Sequence, residues 1–469
     1  MNDFEELDLV AAATAIADKK ISAIELAQWS LTRMETLGKQ FNAVFRIDHQ
    51  QAMERARELD RIQAKSGVIG PLHGVPLAHK DLIEVAGLEN HAGSKILRGH
   101  IAKENAWVID ELNAAGQVNV GSLHMCEFAM SPTGFNGHYG HGLNPWNPAY
   151  TCGGSSSGSG IAVGARIVFG SLGSDTGGSI RHPAAMCGVT GIKPTARRVS
   201  IEGVFPLSKT LDCVGPLAQT ARDCARLLTH ISRPNPSDTW CTSTPAQDYE
   251  SALTGDLKGL RVGIPQAYYR ENLDAEVASA LQTSLEVLKQ RGAVLVDVSV
   301  PDMARLNTLA GIVMTSQAAA LHREWLESRP QDYADQVRAR IEPGFTHSAV
   351  TYVDAMRFQK ALTDEYINVC LKDCDVIHIP VLTVQTPTIA STTSGDTQSI
   401  LKSIAHLTYA NRAINYLGLP AISVPAGFSS TGMPLAFQLV ARHFDEATLL
   451  KIADAYQQDT QWHQQRPNV

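Results

Sequence analysis

The chain has 469 residues, 44% hydrophobic and 19% charged, so it can bury a large core, and length alone leaves one large α/β unit or two to three domains open. A net charge of −7 without any Lys/Arg-rich stripe gives no long-range attraction to nucleic acid, and no apolar run nears the roughly 18 residues of a membrane span. Eight scattered cysteines lack the density of a disulfide scaffold and read as buried free thiols in a reducing cytoplasm; the acidic start MNDFEELDLVAAATAIADKK carries no signal-peptide pattern.

In chain order, Ser22 followed by Glu25 predicts a capped helix over 22–37, and 49–64 a second, more polar one. Gly70–Pro76 is a tight turn into the short apolar strand Leu77-Ala78-His79, with Lys80 at its end. A helix is predicted over 106–115 and a strand over 117–121. The turn-rich stretch 232–247 reads as a surface excursion rather than a linker. Strand 257–265, helix 274–291 and strand 293–298 form a β-α-β succession. Further strands at 376–380, 421–425 and 437–440 and a helix over 446–457 complete the expectation. This pattern predicts an α/β fold, one large domain over 1–469 with a central mixed, twisted sheet covered by helices on both faces. Cys370 and Cys374 lie four apart on a predicted helix, with no Cys/His pair to complete a zinc site.

The segment CGGSSSGSGIAVGARIVFGSLGSDTGGSIRHP, from Cys152 to Pro183, sets Ser155 and Ser179 each behind a Gly-Gly pair. A Gly/Ser run is ordinarily a flexible linker. This one passes directly into Ile161-Ala162-Val163-Gly164-Ala165, which suits a tightly packed helix. A phosphate loop would end in Lys-Ser/Thr, and that ending is absent. Gly177-Gly178 before Ser179 permits successive N–H groups to point one way, as an oxyanion site requires. A serine hydroxyl needs a base. Lys80 can serve if burial holds its amine neutral, although a lysine after an apolar strand is more often a surface residue.

Taken together, these motifs resemble the amidase signature family of serine amidohydrolases. The resemblance rests on GGSSSGSG and GSDTGGSIRHPAAMCGVTGIKPT, with GPLHGVPLAHKDL, EFAMSPTGFNGHYGHGLNPW, GLPAISVPAG and MPLAFQLVARHFDEATLL in support. It implies Ser179 as nucleophile, Ser155 as a bridging serine preceded by a cis peptide, and Lys80 as the base. It further implies an oxyanion hole of Thr176, Gly177 and Gly178 N–H groups, with Ser179 as a fourth donor, and loop support by Asp175 and Arg181. Met130 and Ser131, within the 128–133 segment, are the implied substrate-binding residues. No metal or cofactor is implied. Ser157 and Ser159 are expected to tie the turn to nearby backbone, and His79 to point to the strand face opposite Lys80. Arg197 stands where the family often has glycine, which puts the local backbone shape in doubt.

By the same resemblance the catalytic core spans about 65–230 and the substrate-pocket-shaping region about 300–400, where no residue declares a specificity. The expected reaction is hydrolysis of a carboxylic or carbamoyl-type amide through an acyl-enzyme by a stand-alone cytoplasmic amidase. Its partner is a small-molecule amide, with a homodimer left open and neither nucleic acid nor membrane involved. The alternative is the glutaminase (A) subunit of a tRNA-dependent amidotransferase. A non-catalytic scaffold is a third reading, against which Lys80, Ser155 and Ser179 all stand retained.

Overall fold

Residues 4–469 are described by the computed structural model. Strands β1 (Val44–Ile47), β2 (Pro76–Lys80) and β3 (Val118–Leu123) form a three-stranded sheet in the order β1-β3-β2. The other strands are β4 (Gly170–Asp175), β5 (Thr190–Lys193), β6 (Cys213–Ala218), β7 (Arg261–Pro265), β8 (Val294–Val298), β9 (Val376–Pro380), β10 (Ala421–Phe428) and β11 (Pro434–Ala441). They make an eight-stranded sheet ordered β4-β6-β5-β10-β11-β9-β7-β8. Its β7–β9 and β7–β8 pairs are parallel and the others antiparallel, so the large sheet is mixed, as expected, and helices flank it.

The predicted capping box is present. Ser22 Oγ accepts the Glu25 N–H at 3.1 Å while Glu25 Oε2 accepts the Ser22 N–H at 2.9 Å. The helix it opens runs Ala23–Arg33 and widens into a π-helical turn, Met34–Gly38. The helices His49–Ser66, Trp107–Ala115, Ala275–Gln290 and Glu446–Asp459 lie where periodicity put them. Unforeseen are β1, β4, β5, β6, the long helix Met303–Ser328 and the extent of Ala349–Cys370, which ends at Cys370 and leaves Cys374 outside the predicted helix. Among the described residues no helix is long and apolar enough to cross a membrane.

One difference matters for the site. Beside the expected central sheet stands a second, smaller one, and its β2 faces edge strand β4 of the large sheet. Across this seam the Phe169 N–H donates to the Pro76 carbonyl at 3.3 Å and the Leu172 N–H to His79 Nδ1 at 3.2 Å. Both strands are buried throughout, and β4 (GSLGSD) has only small side chains along most of its length. Small residues there let the backbones approach while polar side chains fill the seam. Lys80 enters it from the end of β2.

Candidate active site

Lys80 is fully buried, and its Nζ is hydrogen-bonded to Ser155 Oγ at 2.7 Å and to Ser174 Oγ at 2.8 Å. Burial pushes the amine down to about 7, against the upward pull of Cys126, Asp212 and Asp175. Desolvation disfavours the ammonium and outweighs the pull of these three neighbours. Ser174, at the end of β4, went unread in the sequence. Its signal was its place in Ser-Asp-Thr-Gly-Gly-Ser, next to Asp175.

Ser155 is buried, and the Gly154–Ser155 peptide is cis, as the resemblance implied. Around it the chain is close-packed. A Cβ on Gly154 would lie 2.6 Å from the Ser131 carbonyl oxygen and 2.7 Å from Cys126 Sγ, so only glycine fits. The Gly154 N–H donates to the Pro132 carbonyl at 2.8 Å, and the Ser155 carbonyl accepts the Cys126 N–H at 3.1 Å. Ser179, 8% exposed, lies on the wall of a cavity. Its carbonyl accepts the Ser156 N–H at 3.3 Å, which joins the two serine turns through the main chain. No hydrogen bond links the Ser155 and Ser179 hydroxyls among the described residues.

Asp175 organises the turn. Its Oδ1 accepts the Gly178 N–H at 2.7 Å, its Oδ2 accepts the Ile180 N–H at 3.1 Å, and both oxygens take the buried Arg181 guanidinium at 3.0 Å. Asn415 donates to the Asp175 carboxylate at 2.9 Å, and Arg181 extends to Asn415 and Gln438. Burial pushes the Asp175 carboxyl up, but Arg181, Lys193 and Asn415 outweigh it and hold it well below the usual range. This geometry corrects one expectation. The Gly178 N–H, expected to face an oxyanion, is committed to Asp175. The N–H groups of Thr176, Gly177 and Ser179 have no acceptor among the described residues. The Thr176 side chain is tied instead to Asp212 Oδ1 at 2.5 Å. Burial raises the Asp212 carboxyl to about 6 against the lowering effect of Thr176 and the Leu207 and Ser208 N–H groups.

The cavity beside Ser179 measures about 30 Å³. Met130 and Ser131 line it. Phe128, from the same segment, does not. Its ring packs against Phe205, His322, Trp325 and Tyr333 in an aromatic cluster, with centroids 4.4–5.8 Å away. Two arginines unread in the sequence complete the wall, Arg340 and Arg412. Burial lowers both, Arg340 to about 10 with Arg412's charge adding to the effect. Neither forms an ion pair with a carboxylate among the described residues; Arg412 donates to Thr408 Oγ1 at 2.7 Å. Among the described residues the cavity wall contains no acidic side chain.

The remaining expectations are scaffolding contacts. Ser157 Oγ meets His124 Nδ1 at 2.7 Å, and Ser159 Oγ donates to the Leu172 carbonyl at 3.3 Å. His79 points away from Lys80 toward Gln117, 2.9 Å off. Arg197 adopts the left-handed backbone (φ 68°) that glycine would take, with its guanidinium 4.7 Å above the Trp240 ring. The departure thus leaves the turn's shape intact, and the arginine pins the 232–247 excursion.

The sequence pattern of the Amidase family matches residues 25–450. The chain belongs to the amidase signature family. This amidase-family chain is 38% identical over 491 aligned positions to the glutamyl-tRNA(Gln) amidotransferase A subunit of Chloroflexus aurantiacus, covering all of both chains. It is 36% identical to the protein of the same name from Azotobacter vinelandii, over 98% of this chain and 99% of that one. Among solved structures it matches, with a TM-score of 0.90 and 30% identity, a chain from a vestigial protein complex bearing on the origins of an s-triazine catabolic enzyme, over 97% of this chain and 98% of that one. It matches the peptide amidase of Stenotrophomonas maltophilia with a TM-score of 0.85 and 26% identity, over 98% of each chain. The amidase is therefore an amidohydrolase acting on C–N amide bonds.

Proposed function

We propose that the chain hydrolyses a small amide bearing a carboxylate, with Ser179 as nucleophile, Ser155 as relay and Lys80 as neutral base. The observation that carries the chemistry is the buried Lys80 amine, brought to about 7 and held 2.7 Å from Ser155 Oγ. Lys80 takes the proton of Ser155 as Ser155 takes that of Ser179, and Ser179 Oγ bonds to the amide carbon. The resulting oxyanion draws on the unpaired N–H groups of Gly177 and Ser179, and on that of Thr176. The relay then returns the proton to the departing nitrogen as the C–N bond breaks, and water releases the acid from the acyl-enzyme by the reverse route. Asp175 and Arg181 hold the turn and do not meet the substrate. Before turnover the two serine hydroxyls must close on each other, a tightening that substrate binding supplies.

The substrate class follows from Arg340 and Arg412. Two half-buried guanidinium groups without a carboxylate partner among the described residues form a site for an anion, and a planar carboxylate suits them best. A second reading is the glutaminase component of a tRNA-dependent amidotransferase. Full-length similarity to the A subunits of glutamyl-tRNA(Gln) amidotransferases supports it more strongly than it supports a general stand-alone amidase. It implies a protein partner. Against it, glutamine carries an ammonium group, and the described cavity wall offers no acidic residue to meet it. A reducing, cytoplasmic setting fits eight cysteines that form no disulfide.

The test is ammonia release from succinamate, N-carbamoylglycine, glutamine and uncharged amides by the purified chain, with Ser179→Ala as the blank. Carboxylate-bearing amides are expected to win, with KM raised about tenfold or more in Arg340→Gln and Arg412→Gln. Preferential turnover of uncharged amides would overturn the substrate class. Glutamine turnover that appears only with a co-purified partner would establish the second reading.

A further inference from the structure

The turn that carries Ser179 is held by two carboxylates. Asp175 takes its far end, through the Gly178 and Ile180 N–H groups. Asp212 takes its near end. The antiparallel register of β4 with β6 pairs Asp175 with Cys213, so Thr176, just after β4, comes opposite Asp212, just before β6. There Asp212 Oδ1 accepts the Thr176 hydroxyl at 2.5 Å, while Oδ2 accepts the Leu207 and Ser208 N–H groups at 2.9 and 3.0 Å. Thr176 and Leu207 both line the cavity beside Ser179. One carboxylate thus ties the nucleophile's turn to a second segment of the cavity wall.

That second segment is itself anchored. Ser208 Oγ donates to Gln317 Oε1 at 2.8 Å, and Gln317 Nε2 donates to Thr210 Oγ1 at 2.8 Å and to Tyr352 Oη at 2.9 Å. Gln317 stands on the helix Met303–Ser328, which also brings Met314 to the cavity. Between the two clamps on the turn lies Gly177. Outside the adjoining residues, a Cβ there would meet nothing nearer than Arg412 Cγ, 3.7 Å away. Packing therefore does little to fix this peptide, and glycine admits many backbone shapes. Its N–H and that of Thr176 have no acceptor among the described residues. Donors of this kind stabilise an oxyanion only when they are aimed before the reaction begins.

Building on Ser179 as the nucleophile proposed above, we infer that Asp212 is a positioning residue that acts through the Thr176 hydroxyl to aim the Thr176 and Gly177 N–H groups at the oxyanion. The contact itself does not require the charge. Asparagine at 212 keeps an oxygen for the Leu207 and Ser208 N–H groups and donates its amide to Thr176 Oγ1, the hydroxyl turning from donor to acceptor.

The measurement is the rate of Ser179 labelling by a fluorophosphonate per folded molecule, at about pH 9, where Lys80 is neutral, with urea unfolding of the same samples. Thr176→Val keeps the side chain's shape and removes only the hydroxyl, and it should slow labelling about tenfold or more. Thr176→Ser should restore the parent rate. Asp212→Ala should slow labelling at least as much as Thr176→Val, and Asp212→Asn should recover most of the loss. Asp212→Ala combined with Thr176→Val should be no slower than Asp212→Ala alone, because both break the same link. If Asp212→Ala does not fold, the two Thr176 variants and Asp212→Asn carry the comparison. Parent-rate labelling in Thr176→Val, whatever its stability, would overturn the role of Asp212. So would losses that add in the double variant, or Asp212→Asn as slow as Thr176→Val. Labelling that persists in Ser179→Ala would instead remove the nucleophile itself, a separate result.

Discussion

The reaction's dependence on pH follows from the burial of one amine. A lysine at its ordinary 10.5 is neutral in about one molecule in 3,000 at pH 7, whereas Lys80, at about 7, is neutral in about half. Burial thus supplies about a thousandfold more base, and an ammonium in the seam between β2 and β4 costs about 5 kcal/mol relative to water. Below pH 7 the labelling rate of Ser179 by a fluorophosphonate, and kcat/KM for any amide it turns over, should rise about tenfold per pH unit. Both should level off above about pH 8. Stability carries the same signature. Between about pH 7 and 10.5 the unfolded chain holds a proton that folded Lys80 has released, so stability rises with pH across that window, and Lys80→Met abolishes this slope. Asp212, raised by burial to about 6, also titrates nearby. Asp212→Asn is therefore the control, and the limb centred near 7 should persist in it. Labelling measured from about pH 5.5 to 9.5, with urea unfolding on the same samples, checks both signatures. A flat labelling profile, or an inflection near 10, would refute a neutral Lys80 as base.

Arg181→Met leaves the buried Asp175 charge uncompensated and is expected to cost about 3–5 kcal/mol in urea unfolding. Replacing Asp175 with Asn in the same chain should recover part of that loss, and a loss below about 1 kcal/mol would show that the pair does not brace the turn. Gly178→Ala places a Cβ against the His182 ring at a residue with φ of 122°, so it should destabilise the chain by about 1–3 kcal/mol and cut Ser179 labelling sharply. Unchanged labelling in that variant would mean the turn tolerates the distortion.

Some of this was legible in the residues because they leave few choices. Ser22 and Glu25 define a capping box from local geometry alone, and the short β-branched run Val376–Pro380 reads as a strand whatever surrounds it. The Gly-Gly-Ser pairs restrict the backbone to a few shapes, which is why 153–160 and 177–179 announced themselves. Strands β4 to β6 were missed for the opposite reason. Glycine, serine and proline carry little periodicity, so a buried strand such as GSLGSD looks like a loop. Arg340 was unreadable because Arg338 lies two residues before it on the short helix Asp335–Ile341, and only packing decides which of the two meets the cavity. Phe128 and Met130 stand two apart in one segment, yet one turns to an aromatic cluster and the other to Ser179.

Sequence by itself determined the family, the glycine-framed serines and the lysine at the end of an apolar strand, because each is a local pattern whose covalent geometry admits few alternatives. Only the tertiary structure decided that Lys80 sits buried between two sheets, that Ser174 is its second partner, that Asp175 claims the Gly178 N–H, and that two arginines line the cavity beside the nucleophile. Burial, hydrogen-bond pairing and charge are properties of neighbours, and these neighbours come from strands and helices up to 257 residues apart.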